Sequence, residues 1–129
     1  MAQMVEKKSY TNDYTDCLLA PHLAFEVGVK VTNTNVTANA DGKKIIPAGT
    51  PIGGDTSALT TRTATLQVTN SASLGSKTQG ILRYPVDVTS GSANATMIIR
   101  GVVDSSKCPS LDSTVAAAIP LIQFVKGVN

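Results

Sequence analysis

The residues of this chain best suited to covalent chemistry are Cys17 and His22. A thiol close to an imidazole meets the minimum for nucleophilic catalysis, because the ring can take the thiol proton. Both fall in a polar N-terminal stretch without apolar periodicity, where a productive geometry cannot be held. His22 is the only histidine, and no Cys or His stands beside it at metal-ligand spacing. Asp13 and Asp16 could share a cation, but a calcium loop needs more oxygen ligands at fixed offsets. Asp87 and Asp104 each end an apolar run, where turn or cap roles account for them. The glycines of "GTPIGG" lack the Lys-Ser/Thr ending of a phosphate loop. The residues therefore predict no catalytic, cofactor or metal site and no enzyme, and they assign function to surface and assembly.

Composition narrows the partners. The 129 residues carry a net charge of +2 from basic residues scattered along the chain. A nucleic-acid binder needs a concentrated positive face. Aromatics make up only 4% and Trp is absent, too few to stack bases or floor a sugar site. No run approaches the ~18 apolar residues of a membrane span, and the first residues lack a signal-peptide core. The expectations are a chain made in the cytosol, no nucleic acid or membrane partner, and thiols at Cys17 and Cys108 rather than a disulfide.

The apolar content is Val, Ile, Leu and Ala beside abundant Thr, which favours strands. Residues 1–22 read as an extended arm and residues 23–129 as one β-rich domain. In "FEVGVKV" Phe25, Val27, Val29 and Val31 alternate with more polar neighbours, the period of a half-buried strand. "NADG" marks a turn before the short strand "KKII". Pro47 halts that strand, Ala48-Gly49 turns, and an extended piece restarts at Thr50-Pro51-Ile52. Residues 55–79 are Ser/Thr-rich and read as a surface excursion, with a weak strand around Leu66 as the alternative. "GILRYPVDV" reads as one strand with a bulge or edge at Pro85, and "TMIIRGVVD" as the most buried strand. Ser110 or Asp112 caps a helix over Ser113–Ala118, and "LIQFVKG" is a last strand. The sum is a mainly β fold, a small barrel or sandwich with one short helix near the C-terminus.

The order of these segments, above all "DGKKIIPAGTPIGG" and "GILRYPVDVTSGSANATMIIRGVVDSSKCP", resembles the lambda-type head decoration proteins of tailed bacteriophages. It also resembles the related head fibre proteins of phages of Gram-positive hosts. The resemblance implies a β-tulip type domain that binds the outside of the expanded capsid. It implies a homotrimer at threefold or quasi-threefold positions, cementing the shell with the major capsid protein as partner. The resemblance further implies an N-terminal arm that adds a strand to a capsid loop. The contacts carried over are Lys7, Lys8, Tyr10, Tyr14, Leu18 and Leu19 in the arm, with Lys43, Lys44 and Pro47 as capsid or trimer contacts. The alternative is a head fibre or adhesin module that presents a surface to the host.

Overall fold

The structure, a computed structural model, describes residues 17–19 and 23–126. Its strands are β1 (Leu18–Leu19), β2 (Phe25–Val31), β3 (Ile45–Ile46), β4 (Pro51–Gly53) and β5 (Thr65–Val68), followed by β6 (Thr78–Leu82), β7 (Val86–Asp87), β8 (Ala93–Asp104) and β9 (Ile122–Val125). One short helix, α1 (Ser113–Ala118), precedes β9. The fold is mainly β. Strands β2, β5, β4, β6 and β8 pair in that order, and β8 pairs back onto β2 to close a five-stranded barrel. The β2–β5 pairing is parallel and the rest of the ring is antiparallel.

Closure follows from alternation. Val29 and Val31 of β2, Ile52 of β4, Leu66 of β5, Leu82 of β6 and Met97 of β8 point into the barrel and pack as one buried cluster. Ile46 and Val88 add to the same cluster from beside the ring. The next residues along, Ile81 and Ile98, face outward. They join Leu18, Val103, Val115, Ile119 and Ile122 in a second buried cluster, sealed by α1, β1 and β9. Each fully buried side chain of this kind stabilises the fold by about 1.5–3 kcal/mol relative to exposure.

Strand β8 spans both clusters because it bends. Its register against β2 shifts between Phe25 and Glu26, which face Arg100 and Ile98 and leave Ile99 as a bulge. Gly101 follows at φ 150°, a value that L side chains rarely adopt. Beyond it, Val102 and Val103 pair antiparallel with β1 on one side and parallel with β9 on the other.

The structure corrects three sequence expectations. Residues 55–79 are not a surface excursion throughout, since β5 lies within the barrel ring between β2 and β4 and Leu66 is fully buried. The flanking loop is tied down as well. Gln79 accepts from Ala58 N–H at 2.9 Å and donates to the Thr56 carbonyl at 2.8 Å, while Arg62 donates to the Gly28 carbonyl at 2.6 Å. The stretch 80–88 is two strands, because Pro85 lacks the N–H that would continue the ladder. Leu18 and Leu19 form β1 of the folded domain rather than part of a projecting arm. Leu18 is buried and Leu19 half-buried, because the outer face of β8 offers Val103 and Ile98 to cover.

Asp112, not Ser110, caps α1, its carboxylate accepting from Thr114 N–H at 3.0 Å and Thr114 Oγ1 at 2.7 Å. A tight approach seats the helix, for a Cβ on Gly75 would stand 1.7 Å from Thr114 Oγ1.

If Leu66 is part of the barrel interior, Leu66→Ala removes a fully buried side chain from a central strand. Equilibrium urea unfolding should then show a loss of about 2–5 kcal/mol. A loss under about 0.5 kcal/mol would return β5 to the surface.

Candidate interaction surface

The described residues offer two surfaces with the character of contact sites. The first is built around the turns on either side of β3. The Asn39 side chain accepts from Asp41 N–H at 2.9 Å and Lys43 N–H at 3.0 Å, and Gly42 at φ 77° completes the reversal. This holds Lys43 exposed just ahead of β3. Lys44 N–H donates to Thr89 Oγ1 at 2.8 Å. Thr89 in turn donates its N–H (2.9 Å) and its hydroxyl (2.5 Å) to the Asp87 carboxylate. Those two bonds stabilise the ionised form and lower the Asp87 pKa, with a smaller contribution from Lys43.

Pro47 ends β3 and is exposed, and its carbonyl accepts from Thr50 Oγ1 at 2.7 Å. Gly49, at φ 88°, lies against Cys108 so closely that a Cβ there would stand 3.0 Å from Cys108 Cα. Cys108 is hydrogen-bonded to Cys17, the residue that leads into β1. That bond, burial, and the charges of Cys17 and Asp104 push the Cys108 thiol well above the usual thiol range. The turn bearing Pro47 and the root of the N-terminal segment therefore meet at one corner of the domain.

The second surface is apolar. Phe25, Leu59 and Leu121 are 61%, 52% and 65% exposed. With Ile99 and Pro120 they line a groove of about 280 Å³. Phe25 has the same parity as Val27, Val29 and Val31, which predicted an inward face. It emerges because it lies at the end of β2, past the β8 bulge. The groove draws on β2, the loop before β5, β6, β8 and the end of α1 with the segment after it. Sequence reading missed it, since its members are scattered single apolar residues with no shared period.

Of the residues singled out from sequence, Lys7, Lys8, Tyr10 and Tyr14 lie outside the described residues, as does His22. Lys43, Lys44 and Pro47 lie together on the first surface, while Leu18 and Leu19 are packed into the domain. Among the described residues no group of three or more His, Cys, Asp or Glu could hold a metal ion, and no helix is long and apolar enough to cross a membrane. The sequence matches no family model and no curated protein.

The Asp87 bonds predict an acid response. Its folded pKa lies below the ordinary aspartate value of 3.8, so its contribution is present above that value and lost as pH falls through the lowered one. Comparing wild type with Asp87→Asn, the stability difference should be flat from pH 7 to about 5 and shrink below about 4. A difference unchanged down to pH 2 would show that the carboxylate does not hold the Lys43–Lys44 segment.

Proposed function

We propose that this chain is a structural protein of a tailed-phage head. In this reading it is a decoration protein that binds the outside of the expanded capsid at threefold or quasi-threefold positions and cements it. The major capsid protein is its partner, and three copies assemble on the shell.

The observation that carries the proposal is the fixed root of the N-terminal segment. Cys17 and β1 are built into the second core, beside the turn that presents Pro47. The point of attachment of the N-terminal segment is thus a rigid platform. A segment that adds as a strand to a capsid loop gains main-chain hydrogen bonds, and its side chains set register. Ordering it costs about 1–2 kcal/mol per residue. A rooted start restricts the search and keeps that cost to the residues beyond the root. The apolar groove at Phe25, Leu59 and Leu121 supports the trimeric part of the reading, as exposed apolar surface of this kind marks contact sites. The closed barrel suits a part that must keep its shape under load, because the ring leaves no open edge within it.

Co-sedimentation with expanded, undecorated heads tests the proposal. Full-length protein should pellet with the heads, and deletion of residues 1–16, which spares β1, should weaken binding at least about tenfold. Leu121→Asp should leave the unfolding free energy within about 0.5 kcal/mol of wild type yet lower the trimer occupancy of the heads. Full-length protein that stays in the supernatant at all concentrations overturns the cementing role. Undiminished binding by the deletion removes the N-terminal segment from it.

A further inference from the structure

Cys17 and Cys108 are far apart in sequence and adjacent in the fold. Both are held by the backbone of Asp104. The Asp104 N–H donates to the Cys17 carbonyl at 2.8 Å, and the Cys108 thiol donates to the Asp104 carbonyl at 3.5 Å. The 3-10 turn Ser105–Lys107 brings the chain back so that Cys108 reaches the cluster containing Cys17. The two thiols are hydrogen-bonded to each other, and no disulfide joins them. Gly49 packs against Cys108, since a Cβ there would stand 3.0 Å from Cys108 Sγ. Cys17 is fully buried and Cys108 is only partly so. One thiol is thus reachable from solvent and the other waits behind it, the arrangement of an attacking and a resolving cysteine.

We infer that Cys17 and Cys108 are a disulfide-forming pair, oxidised by exchange with a small-molecule disulfide of the oxidised-glutathione type, and that the bond fastens the root of the N-terminal segment to the barrel. Cys108 loses its proton to solvent, and its thiolate attacks one sulfur of the small disulfide. A mixed disulfide forms and one glutathione thiolate leaves, to be protonated by water. The Cys17 thiol then attacks Cys108 Sγ, forming the Cys17–Cys108 bond and expelling the second glutathione thiolate, which takes up the Cys17 proton. Two protein thiols are oxidised and one small disulfide is reduced to two thiols, a two-electron exchange that balances. The raised Cys108 pKa keeps the attacking thiolate scarce, so the exchange is slow at neutral pH. The bond would tie β1 covalently to the segment after β8, where only hydrogen bonds and packing hold it in the reduced protein. It would also restrict the unfolded chain between residues 17 and 108. The inference stands independently of the capsid reading.

The test uses the full-length reduced protein, incubated without oxygen at pH 8 with oxidised glutathione, quenched in acid, and read by intact mass and peptide mapping. The expected result is a mass loss of about 2 Da and a cross-linked peptide joining Cys17 to Cys108. The melting temperature should rise at least about 5 °C, and dithiothreitol should reverse the change. Cys17→Ser should stop at a stable glutathione adduct on Cys108. A stable adduct on wild type, a cross-link between two chains, or thiols that react only in denaturant would each overturn the inference. The wild-type readout decides the matter even if the variant fails to fold.

Discussion

Strand β8 is the constraint on which the rest of the molecule depends. Met97 and Ile98 pair with β2 on one side and β6 on the other, which closes the ring. Past the bulge and Gly101, the same strand pairs with β1 and β9. Successive residues face opposite sides of a strand, so Met97 fills the barrel and Ile98 fills the outer cluster. A slip of one residue would exchange the two and empty both cores at once. Register in β8 is therefore specified from two directions, and the bulge at Ile99 lets one strand serve two sheets.

This arrangement has consequences at the surface. The outer cluster needs a cover, and β1, α1 and β9 supply it. Recruiting β1 fixes where the N-terminal segment leaves the domain. The same bulge at Ile99 leaves Phe25 beyond the last barrel layer, beside Leu59 and Leu121. The corner at Cys17, Cys108 and Pro47 and the apolar groove are both products of how β8 is shared. The proposed cementing role uses the first as an anchor and the second as a contact between copies.

Much of the fold was legible in the sequence, and the reasons are local. The alternation of Val27, Val29 and Val31 marked β2, Pro47 and Gly49 marked the turn after β3, and a cap at Ser110 or Asp112 with Pro120 bracketed α1. What was not legible depended on partners distant in sequence. The Thr-rich run around Leu66 reads as surface because its outward face is polar, and only pairing with β2 and β4 makes Leu66 interior. Leu18 and Leu19 read as arm contacts because two apolar residues carry no period, and only Val103 across the pairing claims them. Of the candidate contacts, Lys43, Lys44 and Pro47 were legible as one punctuated stretch. The apolar groove was not, because its residues come from five separate segments. The meeting of Cys17 with Cys108 was equally hidden, since spacing alone says nothing about which thiols fold together.

The most direct test of the shared-strand account is native-state hydrogen exchange at the Asp104 amide. That N–H donates to the Cys17 carbonyl at 2.8 Å and is exposed if β1 leaves β8. The account predicts that it exchanges only with global unfolding, as slowly as the β8 amides within the barrel. Exchange about a hundredfold faster than those amides would contradict it. It would mean that β1 opens on its own and that the N-terminal segment has no fixed root.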